Sequence, residues 1–585
     1  MSKIIFVKPP DDVKKTNNYS IGLFSLGTIL KKNGYSIRII DFDYIITESL
    51  IKCSNDNNEN IEFMCDYILK ENPDIVDFYT MGNSYYLSVS LAKKLKSKNK
   101  NLKIIFGGPQ ASLIAAETLK ACPWIDVIGI GEGELSILNI VDNLLLNKKF
   151  TTELGVAYLR NGKVICNESI LIKDLDTLPK LDYSLLEGNL GEKIQLEVGR
   201  GCPFGCKYCS TKTFWKRNFR LKGSERIIDE ISELKNKFDI NEFEFEHDLF
   251  TANRNRILDF CNNLIKNNMK ITWRCSSRAD TLDEELIKKM SEAGCTSMYL
   301  GIESGSKTIQ KIINKNLDLD KAINTMKLLN KYNIHTTASF IYGFPEESED
   351  DVNLTIQLIY KMFRIGVNTI QFHLFSLYPG SEYWMQLKDK LYFSNVFSDG
   401  ASSKYVDLDA IDFIEKNKNI FPEYLDFDIG IRKKLEFLDM YVYIYCVTFM
   451  KYMNKTYELL VSTFGSHLEF FKRFREANYQ DFESNRNLIY KMHINPQKSV
   501  IALGNLIDSI HCPNKNIISE MYKFESDIVK FIYYSKKVMI LNRYKCNVYE
   551  MKMYNLDLKL ANYVEDEICF TRLNSNNDIN IKKVI

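Results

Sequence analysis

Three cysteines stand together in an otherwise thinly spread set. Cys202, Cys206 and Cys209 fall within the run Glu197-Val198-Gly199-Arg200-Gly201-Cys202-Pro203-Phe204-Gly205-Cys206-Lys207-Tyr208-Cys209, and the other eleven of the 14 cysteines are scattered singly. With three and then two residues between them, these thiolates match the way short loops hold iron in iron–sulfur clusters. Gly199, Gly201 and Gly205 give the backbone the freedom to curl and aim three sulfurs at one cube. Three protein ligands leave one iron of a four-iron cluster open to the amino and carboxylate groups of a small molecule. Two other readings stay open here. Structural zinc wants four closed ligands, and Cys275 or His247 could approach in space to supply a fourth. A non-catalytic iron–sulfur electron carrier would likewise need a fourth protein ligand.

The elements that must position this loop alternate along the chain. Before residue 145, strands are expected at Ile4–Val7, Ser36–Ile40, Ile75–Tyr79, Lys103–Phe106 and Val127–Ile130, with helical patterns between them. Such alternation implies a parallel sheet covered on both faces. Ligands of such sheets sit beyond the carboxyl ends of the strands, where Lys8-Pro9-Pro10, Asp41, Thr80, Gly107-Gly108-Pro109 and Gly131-Glu132-Gly133-Glu134 fall. Residues 146–190 read as a connector with a small hairpin around Asn161-Gly162.

From 191 to 385 six further strands are expected, at Ile194–Val198, Phe243–Glu246, Thr272–Cys275, Ser297–Leu300, Thr337–Tyr342 and Thr369–Phe375. Helices separate them; in Ser224–Lys237, Ile227, Ile228, Ile231 and Leu234 recur at helical spacing behind Ser224 as an N-cap. Six β/α repeats predict a closed or partial TIM-like barrel, whose active site gathers at the C-terminal strand ends. Tyr342 and His373, on the fifth and sixth strands, mark where a substrate would sit. Residues 386–585 are Lys-, Asn-, Tyr- and Phe-rich and mainly helical, with amphipathic stretches at 437–457 and 518–535 and a return to strands within 538–570.

The bulk numbers set limits. A chain of 585 residues holds about three or four ordinary domains. A net charge of +2 gives no dominant electrostatic grip on nucleic acid. The start, Met1-Ser2-Lys3, runs straight into Ile4–Val7, too short for a secretory leader. The longest apolar run, near Met440 to Met450, is about half a bilayer span. A cytoplasmic protein without a membrane span is expected.

The cysteine run, with aromatic Tyr208 before its last cysteine, resembles the signature of the radical S-adenosylmethionine (SAM) superfamily. Phe245–Thr251, Trp273–Asp280, Leu300–Ser306 and Phe340–Glu347 extend the likeness along the barrel. With Gly107-Gly108-Pro109 and Gly131-Glu132-Gly133-Glu134, the whole is similar to the subgroup carrying an N-terminal cobalamin (B12)-binding domain. The resemblance implies a flavodoxin-like cobalamin domain over 1–145, a partial (β/α)6 barrel over 191–385 and a helical C-terminal domain. It implies a [4Fe–4S] cluster on Cys202, Cys206 and Cys209, SAM beside Tyr208, Glu246, Asp248, Ser276, Arg278, Glu303 and Gly343, and cobalamin against Thr80, Gly107, Gly108, Pro109, Gly131, Glu132 and Gly133. The lower-ligand motif D-x-H-x-x-G is absent, since no histidine precedes His247, so any cobalamin here lacks a histidine ligand from this domain. The activity implied is C-methylation of an unactivated carbon in a natural-product precursor, a peptide first and a lipid or small antibiotic precursor second. Ring formation, rearrangement or carbon–sulfur bond formation on the same scaffold is the alternative. An electron donor such as flavodoxin or ferredoxin is the partner implied.

Overall fold

A computed structural model describes residues 2–10, 20–51, 53–54, 56–151, 153–185, 193–394, 406–435, 437–438, 447–478, 496–534, 539–544, 552, 566–572 and 579–584. The first sheet holds β1 (Lys3–Lys8), β2 (Ser36–Asp41), β3 (Ile75–Tyr79), β4 (Lys103–Gly107), β5 (Val127–Gly129), β6 (Val156–Arg160) and β7 (Lys163–Cys166), in the order β2-β1-β3-β4-β5-β6-β7. The first five are parallel, in the flavodoxin-like order 2-1-3-4-5. Ile4, Phe6 and Ile105 pack on helices Ile21–Lys32 and Ile137–Leu145. Ile5, Val7, Val76 and Phe78 pack on helices Asn57–Leu69 and Tyr85–Lys98. Apolar residues on both faces explain the near-continuous hydrophobic runs of these strands.

The hairpin expected in a connector is instead part of this sheet. β6 pairs antiparallel with β5, and β7 with β6, because the open edge of β5 offers ladder hydrogen bonds that a free hairpin would leave to water.

The second sheet is the barrel wall. β8 (Lys193–Glu197), β11 (Glu242–Glu246), β12 (Thr272–Ser277), β13 (Cys295–Glu303), β14 (His335–Tyr342) and β15 (Thr369–Leu374) pair in parallel in that order. β8 and β15 do not pair among the described residues, so the barrel is partial. A short ladder, β9 (Gly199–Arg200) with β10 (Arg220–Leu221), brackets the cysteine loop. One local expectation fails. The helix Ser224–Phe238 takes Gly223 as its N-cap, because the Gly223 N–H is claimed by Asp176 and the Ser224 hydroxyl donates to Asp259 instead (2.7 Å).

The C-terminal third divides between both cores. Phe413 meets Trp124, Phe421 meets Tyr85 and Tyr86, and Tyr424 meets Tyr86, so residues 408–427 seal the first sheet's helices. Helices Asn454–Phe464, His467–Ala477, Pro496–Ser509 and Lys515–Tyr534 pack toward the barrel's helical shell. Residues 439–446 of the amphipathic stretch lie outside the described residues. β16 (Met539–Tyr544), β17 (Asp566–Arg572) and β18 (Ile579–Val584) form an antiparallel sheet; residues 545–551 and 553–565 lie outside the described set. No helix among the described residues is long and apolar enough to cross a membrane.

Candidate active site

The cysteine loop is pinned from three neighbouring segments. Gly201 has φ +88°, and a Cβ there would lie 1.9 Å from the Asn218 carbonyl oxygen, so only glycine fits. Its N–H donates to the Asp248 carboxylate (2.9 Å). The Lys207 N–H donates to the Ile313 carbonyl and the Lys207 carbonyl accepts from the Glu382 N–H, both at 2.9 Å. Asn314 Nδ2 donates to the Gly205 carbonyl (2.9 Å). The thiols are thereby displayed on a fixed backbone, Cys206 buried and Cys202 and Cys209 half-buried.

This donor set suits an iron–sulfur cube. Burial pushes the Cys202 thiol up to about 11, with the neighbouring Cys209 and Cys206 adding to the shift, and burial raises Cys209 as well. Three such thiolates call for a cationic partner, and iron supplies one. Among the described residues no three His, Cys, Asp or Glu side chains converge on a single ion. Neither proposed fourth ligand joins them. His247 is neutral, its pKa lowered to about 4 by burial; its Nδ1 accepts from the Leu249 N–H (2.7 Å) and its Nε2 faces the Arg220 carbonyl (3.3 Å). Cys275 packs against Cys295 in the wall. Among the described residues, His247 and Cys275 are thus engaged elsewhere and complete neither a zinc tetrad nor a fourth cluster ligand.

The residues expected around SAM fall into two groups. Tyr208, Arg278 and Glu303 meet beside the loop. The Tyr208 hydroxyl donates to Glu303 Oε1 (3.0 Å), Lys315 Nζ donates to the same oxygen (2.6 Å), and the Arg278 guanidinium lies 3.9 Å above the Phe204 ring while pairing with Asp280. Glu246 and Ser276 stand instead on the barrel's inner face. Gln195 donates to Glu246 (2.7 Å), and burial, with Glu244 beside it, pushes that carboxyl up to about 7. Asp248 is occupied with the Gly201 N–H and serves as a brace for the cysteine loop. Gly343, at φ +84°, donates its N–H to Glu347 (2.5 Å), and a Cβ there would lie 2.9 Å from Leu374 Cδ1.

At the first sheet's carboxyl edge, Thr80, Gly107, Gly108 and Pro109 form one tight corner. The buried Thr80 hydroxyl donates to the Gly107 carbonyl (2.7 Å) and accepts from the Ala111 N–H (3.1 Å). Gly108 has φ +97°, and a Cβ there would lie 2.7 Å from the Thr80 carbonyl oxygen. Pro109 opens the helix Pro109–Leu113. Gly131 (φ +76°) is held by the Ser112 hydroxyl, which accepts its N–H (3.1 Å). Met81 and Leu135, in the loops after β3 and β5, are exposed apolar side chains. A backbone-lined edge with apolar cover fits a flat macrocycle. Glu132 departs from expectation: its side chain is 1% exposed and paired with Arg200 and Arg220, so it ties the edge to the cysteine loop and offers nothing outward.

The inner face of the barrel is mostly polar, with Ile341 beside His373 as an apolar exception. Side chains alternate along each strand, and the apolar set, including Leu196, Phe245, Cys275, Leu300, Phe340 and Phe372, faces the helices. The opposite set includes Gln195, Glu197, Glu244, Glu246, Arg274, Ser276, Tyr299, Ser339, Gln371 and His373. Arg274 pairs with Glu244, and Tyr299 hydrogen-bonds Ser339. His373 lies on this inner face, within 3.3 Å of Gln371 Oε1. Tyr342 does not: it shares parity with Ala338 and Phe340, is fully buried, and stacks on Phe372 at 4.5 Å, so it is wall packing. Arg200, Arg274 and Lys315 carry no motif of their own and escape sequence reading. Only the flanking of Arg200 by Gly199 and Gly201 hinted that its backbone is special.

Comparison with known proteins follows the same division. Residues 196–359 match the model of the Radical SAM superfamily, and residues 13–141 that of the B12 binding domain. The chain is 32% identical over 394 residues to an uncharacterized methyltransferase of Pyrococcus horikoshii, covering 65% of this chain and 82% of that one. It is 27% identical over 382 residues to the anaerobic magnesium-protoporphyrin IX monomethyl ester cyclase of Rubrivivax gelatinosus, covering 63% and 66% respectively. Among solved structures, the fold is similar to the cobalamin-dependent S-adenosylmethionine radical enzyme OxsB (TM-score 0.60, 15% identity, 92% of this chain and 82% of that chain). It is also similar to the radical S-adenosylmethionine methyltransferase TsrM from Kitasatospora setae (TM-score 0.56, 12% identity, 71% and 85%).

Proposed function

The chain belongs to the radical SAM superfamily, in the branch with an N-terminal B12-binding domain, and from that premise we propose that it methylates an unactivated carbon of a polar natural-product precursor. One observation carries the reading. Arg200, two residues before Cys202, bonds Glu132, which stands between Gly131 and Gly133, so the cysteine loop and the glycine edge of the first sheet meet at one seam. Methyl transfer to a carbon radical needs both cofactors to face one acceptor.

Cys202, Cys206 and Cys209 would hold the cluster, and the edge formed by Thr80, Gly107-Gly108-Pro109 and Gly131 would carry cobalamin. Bound there, the cluster with SAM supplies a carbon radical and cobalamin supplies a methyl group. The chain's own work is to fix and shield these groups. Asp248, Ile313 and Glu382 hold the loop backbone. Glu246, Ser276 and Arg278 offer a carboxylate, a hydroxyl and a guanidinium to a zwitterionic, hydroxyl-bearing ligand. Glu303 is anchored by Lys315 and Tyr208 at the end of β13.

The inner wall favours a hydrogen-bonding acceptor. Tyr299, Ser339, Gln371 and His373 present hydroxyl, amide and imidazole groups along β13, β14 and β15, with Tyr299 directly across from Ser276. Hydrogen-bonding groups covered by an apolar ligand would lose their partners, so a peptide suits this face better than a lipid or a tetrapyrrole. We read the protein as cytoplasmic and reduced by a flavodoxin- or ferredoxin-type donor.

The test is anaerobic reconstitution with iron, sulfide, SAM, reductant and hydroxocobalamin. Deoxyadenosine released together with S-adenosylhomocysteine marks methylation. Deoxyadenosine alone would shift the assignment to ring formation, rearrangement or carbon–sulfur bond formation. Absence of a SAM-responsive cluster signal would overturn the reading altogether.

A further inference from the structure

The seam between the first sheet and the barrel is closed by two guanidinium groups and three carboxylates. Arg200 Nη1 donates to Glu132 Oε1 (2.7 Å), Nη2 to Glu134 Oε1 (2.7 Å) and Nε to Glu197 Oε1 (2.8 Å). Arg220 Nη1 donates to both oxygens of Glu132 (3.0 and 2.8 Å) and to the Ile172 carbonyl (2.6 Å). Glu132 Oε2 also accepts the Ile172 N–H (2.6 Å), and Glu134 accepts from the Ser25 hydroxyl (2.8 Å). The side chains of Arg200, Glu132 and Glu134 are 7%, 1% and 5% exposed.

Buried ion pairs are a poor way to hold two surfaces together merely for strength, since their desolvation cancels much of the attraction. What they add is geometry, because the planar fork of arginine fixes distance and angle at once. Each end of this network sits within two residues of a cofactor loop. Arg200 belongs to β9, which leads into Gly201 and Cys202. Glu132 lies between Gly131, whose φ is +76°, and Gly133, at the first sheet's carboxyl edge. Arg220 lies opposite Arg200 in the two-stranded ladder, so both strands that bracket the cysteine loop are bolted to the same carboxylate.

We propose that Glu132, Arg200 and Arg220 are positioning residues, a latch that sets the separation and orientation of the cobalamin edge relative to the cluster loop. This rests on the reading that both cofactors bind. The latch touches neither the acceptor nor a reacting atom; it acts by holding the two loops in one frame.

The test uses the full chain reconstituted with cluster and cob(II)alamin. Pulsed EPR reads the dipolar coupling between cobalt and the reduced cluster in the unaltered protein and in Glu132→Gln, which keeps the shape of the side chain and removes its charge. The expected result is a shifted or broadened cobalt–cluster distance, with iron, sulfide and cobalamin contents retained. If Glu132→Gln fails to fold, Glu134→Gln, which weakens a single arm of the network, gives the same readout. Either variant with a lowered Tm but an unchanged dipolar spectrum reduces the network to mechanical support and overturns the proposal. If the unaltered protein shows no cobalt signal or no cluster signal, the functional reading falls and the latch falls with it.

Discussion

The Tyr208 hydroxyl and the Glu303 carboxylate lie 3.0 Å apart, joining the cysteine loop to the end of β13, 95 residues later in the chain. Glu303 sits at φ +68° beyond a register shift between Gly301 and Glu303. That left-handed backbone is uncommon for a side chain of this size. It is held there because Lys315 Nζ, also buried, takes the same oxygen at 2.6 Å.

Glu303→Gln should therefore destabilise the protein by about 3–5 kcal/mol, the cost of leaving a buried charge uncompensated. Tyr208→Phe, which removes the hydroxyl's bond to Glu303 and the longer one it accepts from Lys315 (3.4 Å), should cost less, about 1–3 kcal/mol. Urea unfolding of the three proteins checks the order. Equal losses would mean that Lys315 does not depend on Glu303 for its charge partner.

Replacing Cys202, Cys206 or Cys209 singly with alanine should abolish cluster retention and SAM cleavage. Far-UV circular dichroism should not change, because the loop backbone is held by Asp248, Ile313 and Glu382 and not by the thiols. Iron and sulfide analysis after anaerobic reconstitution gives the answer. A variant that kept a full SAM-cleaving cluster would remove that cysteine from the ligand set.

Gly201→Ala should cost the cluster with all three thiols intact. The added Cβ would meet the Asn218 carbonyl at 1.9 Å, a backbone atom with no side-chain freedom to yield, and the left-handed backbone adds about 1–3 kcal/mol of strain. The expectation is a folded protein with reduced iron content. Full iron loading in this variant would show that the approach of residues 201 and 218 is dispensable for the site.

Asp77 gives a pH dependence with a defined sign. It lies on the interior strand β3, 3% exposed, and burial alone pushes its carboxyl up from 3.8 to about 7. Because the folded value is raised, the folded state binds the proton more tightly. Its stabilising contribution is full below the unfolded value and is lost as pH rises towards 7, by roughly 4 kcal/mol in all. Asp77→Asn should flatten this part of the stability profile and make the variant the more stable protein at pH 8. Parallel stability–pH curves for the two proteins would place the titration elsewhere.

Much was legible in the residues themselves. A triplet of cysteines among glycines points to iron–sulfur chemistry because three ligands are local, although only the fold could place His247 and Cys275. Continuous apolar runs in the first sheet, alternation in the second and period-3.6 helices expose both parallel sheets. Sequence alone could also place the glycine corners at the carboxyl edge of the first sheet, since a parallel strand must end there. Tertiary structure decided what depends on which distant atoms meet. It turned Tyr342 to the outer wall and left His373 inside, a matter of strand parity that a single-residue shift would reverse. It assigned Asp248 to the Gly201 backbone and Glu132 to two arginines, since a carboxylate has no preferred partner until the fold brings a donor within reach. It also drew the hairpin at residues 156–166 and the segment at residues 408–427 into the first sheet's core, where exposed edge groups and apolar faces find cover that no local pattern specifies.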